Sequence, residues 1–197
     1  MVTIPSLGRT VTSRERFARI FAIGDRSNPS AYTPSMVLID DEDSLEVADA
    51  PFRMLRDSSK APAELRMKTR ANLCPPFDDP VVWEASEGLS LPPSLIESDA
   101  GIFPHGDAFL PVTAQSLLHD STLSNLEVEP SIICFVDSLQ LVNNDSLLIK
   151  SLDSVKRRFP SSLIWMPGIS GPDNCSLLAW MGVDLMDLIR VKRAFSK

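Results

Sequence analysis

Several common chemistries are argued against by what this sequence lacks. It has two histidines, His105 and His119, too few for a histidine-rich metal centre. Its three cysteines, Cys74, Cys134 and Cys175, are far apart and odd in number. That pattern speaks against a disulfide framework or a zinc knuckle and for a reducing cytoplasm, with buried structural thiols. There is no glycine-rich phosphate loop and no Gly-x-Ser-x-Gly elbow. No apolar run reaches about 18 residues, so no transmembrane helix is expected, and the first 21 residues lack the apolar stretch of a secretory signal. Positive charge is also in deficit, with 19 Lys and Arg against 26 Asp and Glu and a formal net charge of −7. A nucleic-acid binder that uses its whole surface would carry the opposite balance, although a local basic patch is compatible with it.

What is present suffices for a core. The chain has 197 residues, 44% hydrophobic and 23% charged, the make-up of a soluble globular protein. Residues 13–23 suit a short helix or a strand, and Ser13 with Arg16 forms no capping box. The stretch 24–35 is dense in turn residues and is expected to be loop. Residues 36–41, "MVLIDD", have the pattern of a buried strand ending in acids. Residues 41–100 hold many of the prolines and are the least regular part, with 79–85, "DPVVWEA", as one further strand candidate.

From residue 130 the pattern sharpens. Residues 131–137, "SIICFVD", are β-branched and apolar and end in Asp137. Residues 144–159 place Leu147, Leu148, Leu152, Val155 and Phe159 at helical spacings, and Pro160 stops that helix. Residues 162–169, "SLIWMPGI", are expected to form a strand running to Gly168. Ser170 with Asp173 fits a capping pattern, Pro172 sits in a first turn, and Gly182 ends the helix that follows. Residues 183–189, "VDLMDLI", supply the next strand. The segment 131–189 is therefore expected to be β-α-β-α-β, the unit of a parallel sheet.

Sites in parallel α/β folds gather at the carboxyl ends of strands. Three such ends carry candidates: Asp137, the Pro167-Gly168 turn and Asp187. Asp184 and Asp187 differ by three, so on a strand they face opposite ways and do not form a side-by-side carboxylate pair. Asp187 would face a site, cap the strand end, or pair with Arg190 or Lys192. The basic run Arg190, Lys192, Arg193 and Lys197 is either a solvated tail or a set of phosphate contacts. His105 and Asp107 form a loop His-Gly-Asp whose ordinary role is solvation.

The order of these motifs resembles the late part of the tRNA-guanine transglycosylase barrel, in particular its archaeosine-synthase branch. The family runs from an apolar strand to Pro-Gly, a helix with Asn-x-x-Leu-Leu, and Gly-Val-Asp-Leu-Phe-Asp. Here those positions are Pro167-Gly168, Asn174, Leu177-Leu178 and the run from Gly182 through Val183, Asp184, Leu185 and Met186 to Asp187. Residues 139–162 also look like that branch, and 18–40 are more loosely similar to the family's N-terminal strand pair. The good match covers about a third of the chain. The resemblance implies an α/β TIM-barrel-like fold, shortened or incomplete: a single domain over 1–197, with an irregular part at 1–130 and the core at 131–189.

The same resemblance implies a cytoplasmic protein acting in tRNA modification and archaeosine biosynthesis, on a guanine-derived base in tRNA. Family transglycosylases form a covalent ribosyl–aspartate intermediate, which puts the nucleophile on Asp187. Their Asp-Ser-Gly-Gly-Phe motif is matched in part by Asp99, Gly101 and Phe103, which makes Asp99 the assisting acid. Gly168 and Asp137 are the expected substrate contacts, and Arg190, Lys192 and Arg193 the expected tRNA contacts. The family's Gly-Gly loop has no glycine here, where residues 136–141 read "VDSLQL". The Cys-x-Cys-x-x-Cys zinc site and the C-terminal tRNA-binding domain are missing, so no metal or cofactor is expected. Partners are then tRNA and a second protein chain, with a non-catalytic subunit as the alternative to an enzyme. An unrelated α/β barrel acting on a small molecule is the third possibility.

Overall fold

A computed structural model describes residues 8–24, 26–39, 52–54, 71–73, 109–119, 129–135, 137–188 and 190–191. Its strands form two sheets of opposite character. The first is antiparallel and three-stranded, in the order β1 (Arg9–Glu15), β2 (Ala18–Gly24), β3 (Pro29–Tyr32). Residues 13–23, open to either helix or strand by pattern, therefore turn at Arg16 and Phe17 and belong to both arms of a hairpin. Arg16 takes a positive φ of 54° at that turn. The expected loop at 24–35 is corrected: it contains β3, whose residues pair with β2 from Ala22 to Gly24. Turn-forming composition was outweighed there by pairing to a neighbouring apolar strand.

The second sheet is wholly parallel, in the order β6-β5-β4-β10-β9-β8-β7. Its members are β4 (Ser35–Ile39), β5 (Phe52–Met54), β6 (Ala71–Leu73), β7 (Phe109–Val112), β8 (Ile132–Phe135), β9 (Leu163–Trp165) and β10 (Leu185–Asp187). The described residues of 1–130, expected to be irregular, thus contribute seven strands, β1–β7. Every sequential step, from β4 to β6 and from β7 to β10, moves the same way across the sheet, and the first parallel strand is hydrogen-bonded to the last. The strand candidate at 79–85 lies outside the described residues.

Among the described residues, four helices accompany this sheet: α1 (Ala114–His119), α2 (Ser138–Leu141), α3 (Asp145–Arg158) and α4 (Cys175–Met181). The Asn144 side chain accepts from the Leu147 amide and starts α3, while Lys156, Arg157 and Arg158 suit its C-terminal dipole. Its apolar stripe, Leu148, Leu152 and Val155, packs with Leu117, Leu178, the sheet residues Ile133, Phe135, Ile164 and Met186, and Met166 just beyond β9. Because side chains alternate along a strand, Cys134, Trp165, Leu185 and Asp187 occupy the opposite face, and they too are buried. A sheet covered on both faces explains why β8 and β9 are continuous apolar runs. Among the described residues, no helix is long and apolar enough to cross a membrane.

The antiparallel sheet reaches the amino-terminal ends of the parallel strands through two arginines. Arg9 donates to Ser161 O, Ser131 Oγ and Pro130 O. Arg19, 3% exposed, donates to Pro160 O at 3.0 Å, Ser162 O at 2.6 Å and both oxygens of Asp184 at 3.1 and 2.6 Å. Phe17 meets the corner between α4 and β10, where Gly182 adopts φ +88°. A Cβ on Gly182 would collide with Phe17 O and Lys156 Nζ, so glycine is required there for both conformation and space.

Candidate functional site at the carboxyl ends of the parallel strands

The carboxyl ends of β8, β9 and β10 bring together Asp137, the turn at Pro167 and Gly168, and Asp187. Strand β10 is shorter than the expected 183–189, which leaves Asp187 as its last residue, 1% exposed. Its Oδ2 accepts from Trp165 Nε1 at 3.2 Å, and the Gly168 amide lies 3.0 and 3.2 Å from Oδ2 and Oδ1. The backbone of Asp187 is clasped separately: Ser170 Oγ donates to Asp187 O at 2.6 Å and accepts from Asp187 N at 3.2 Å. Asp187 is thus held in one orientation by an indole and a peptide N–H.

One peptide group ties two strand ends together. β9 ends at Trp165 rather than running to Gly168, and Met166–Gly168 continue as irregular chain. The Pro167 carbonyl accepts from Ser138 Oγ at 2.5 Å, while the N–H of the same peptide, on Gly168, donates to Asp187. Gly168 has φ +77°, a conformation that side chains disfavour. Its position here is that of an amide donor to Asp187.

Asp137 stands at the end of β8, ahead of α2. Its Oδ2 accepts from the Ala114 amide at 2.9 Å at the start of α1, whereas Oδ1 is buried without a hydrogen-bond partner among the described residues. Burial pushes its carboxyl above the ordinary value, against the pull of the Ala114 amide. Cys134, three residues earlier in β8, is fully buried. Burial, followed by the nearby Asp187 and Asp137, pushes its thiol well up, the shift expected of a structural thiol in apolar surroundings.

The other expected residues fall elsewhere. Arg190 does not pair with Asp187. It forms a two-pronged bond to Asp173 at 3.0 and 2.8 Å, with both side chains about half exposed, and this contact holds the Asp173 carboxyl below its usual range. Asp173 therefore does not cap α4 with Ser170, as its spacing suggested. Asn174 precedes the helix instead, accepting from Gly171 N and donating to Ile169 O, so it orders the loop. Asp99, Lys192, Arg193 and the segment 105–107 lie outside the described residues. Trp165, Ser138 and Ser170 were missed by sequence reasoning. Trp165 had a signal, an indole one strand from an acid, but its register against β10 is a tertiary fact. Among the described residues, no group of His, Cys, Asp and Glu is arranged to hold a metal ion.

Comparison of the chain with protein-family models, curated proteins and solved structures gave no match.

Proposed function

We propose that this chain is a transglycosylase-like protein of tRNA modification, related to archaeosine biosynthesis and acting on a guanine-derived base in tRNA. The observation that carries the reading is the buried, doubly anchored Asp187 at the carboxyl end of a parallel strand, on the sheet face away from the helices. The strand order supports a TIM-barrel-like closure. Doubly wound sheets reverse direction at a switch point, whereas here all steps run one way and β4 meets β10. With the described helices on one face, the other face is then a barrel interior and Asp187 stands at its active end.

In this reading the Asp187 carboxylate attacks the anomeric carbon of the target nucleotide. The C–N bond breaks, the base leaves with the electron pair, and a ribosyl ester remains until a base displaces the carboxylate. The departing base takes up a proton and the incoming base gives one up, and Asp137, whose carboxyl is pushed up by burial, is the group at the neighbouring strand ends suited to donate the first and accept the second. Arg190 and the following Lys192 and Arg193 would meet tRNA phosphates, with a second chain supplying further tRNA contacts. The test is a deletion strain complemented with Asp187→Asn, its tRNA digested and the modified nucleosides measured by mass spectrometry. Loss of the modification is expected; modification at the level of the unaltered protein would overturn the role of Asp187.

A further inference from the structure

On the helix side of the sheet, α3 and α4 border a groove of about 510 Å³ that Phe17 closes at one end. Single exposed apolar side chains are ordinary, but convergent ones are not. Of the nine large hydrophobic residues that are exposed among those described, five line this groove: Phe17, Val142, Ile149, Leu177 and Trp180. Leu177 and Trp180 are 56% and 49% exposed, and Ile149 on the facing wall is 53% exposed. Buried Leu148, Leu152 and Leu178 form the base.

The shape and the charge of the groove narrow its occupant. The wall contributed by α3 runs from Asp145 to Lys156, three turns and roughly 16 Å at the rise of an α-helix. That length suits a helix laid in a groove. The cation in the lining is turned inward: Lys156 donates to Met181 O and sits 4.6 Å from the centroid of the Phe17 ring. The rim facing outward carries Asp145 and Asp153, the latter sharing its charge with the more exposed Arg157. We infer that this groove docks one amphipathic helix of a partner protein, with aliphatic residues at i, i+3 or i+4 and i+7 and Lys or Arg on its flank. The inference stands apart from the tRNA reading, because the groove and Asp187 are on opposite faces of the sheet.

The test uses the full chain and two labelled synthetic amphipathic helical peptides, one of leucine and lysine, the other of leucine and glutamate. The lysine peptide is expected to bind saturably and to shift Trp180 emission to the blue, a shift absent in Trp180→Phe. Leu177→Asp should weaken binding by about tenfold or more. Asp145→Asn combined with Asp153→Asn should weaken it less and flatten its salt dependence. Should Leu177→Asp not fold, Ile149→Asp on the other wall replaces it. Equal binding of both peptides, or binding indifferent to these substitutions, overturns the inference. So does a Trp180 shielded from acrylamide in the free chain, which would mean that the groove is already covered. A dimer dissolved by Leu177→Asp would make a second copy the occupant and overturn it as well.

Discussion

Asp184 and Asp187 sit three residues apart in one apolar run, both buried, and they do opposite things. Asp184, at the amino-terminal side of β10, accepts from Arg19 through both oxygens and from the Ile164 amide at 2.8 Å. Its bonds join the antiparallel sheet to the base of the parallel one. Burial still pushes its carboxyl up despite the opposing pull of Arg19, the desolvation cost that offsets part of the attraction in a buried ion pair. Asp187, at the other end, is anchored by Trp165 and Gly168. The same side chain in the same short segment is thus a tie between two sheets at one end and, at the other, a carboxyl clasped by the indole and peptide N–H of its own sheet. The difference lies in what each strand end faces.

Substitutions can break that contrast. The largest effect is expected from Arg19→Met, which strands Asp184 as a buried, uncompensated charge and should cost about 3–5 kcal/mol by denaturant unfolding. An unchanged midpoint would mean that the tie contributes nothing. Gly168→Ala comes next. It forces a side chain onto φ +77° and should cost about 1–2 kcal/mol; under the proposed function it should also lower tRNA modification, because the Gly168 amide is a donor to Asp187. Asp187→Asn keeps the shape and one acceptor for Trp165 and Gly168, so its stability cost should be only about 1 kcal/mol, while under the proposed function modification is lost. A destabilisation as large as that of Arg19→Met would place both aspartates in the same structural class.

The smallest effect is a pH dependence at the base. Burial, more than the nearby Arg19, lowers Lys156 to about 8. Its folded value lies below its unfolded value, so above pH 8 the unfolded chain holds a proton that the folded chain has shed. The contribution of this group therefore raises stability as pH climbs from about 8 towards 10.4. Thermal melts across that window should show the rise in the unaltered chain and a flatter profile in Lys156→Met. Identical profiles would show that Lys156 is not under strain from burial.

Much of the carboxyl-terminal half was legible from spacing. The helix expected at 144–159 is α3 at Asp145–Arg158, because its apolar residues recur every three or four and Asn144 and Pro160 bound it. Gly182 ends α4 as its composition suggests. Errors arose where local chemistry competed with distant partners. Pro29 and Ser30 look like turn residues but lie in β3, paired to β2. Ser170 has the spacing of a helix cap, yet its hydroxyl is used by Asp187. Arg190 has the position of a partner for Asp187, yet bonds Asp173.

Over residues 131–189 the sequence by itself determined the local periods: which runs form helix or strand, where proline and glycine stop the helices, and that Asp184 and Asp187 part company. These follow from nearest-neighbour geometry, which composition and spacing carry. Only the tertiary structure decided that β4 lies beside β10, that Arg19 crosses 165 positions to Asp184, and that one peptide at Pro167 and Gly168 links Ser138 to Asp187. Contacts of that kind depend on loop closure and on burial shared among distant segments, and no local pattern encodes them.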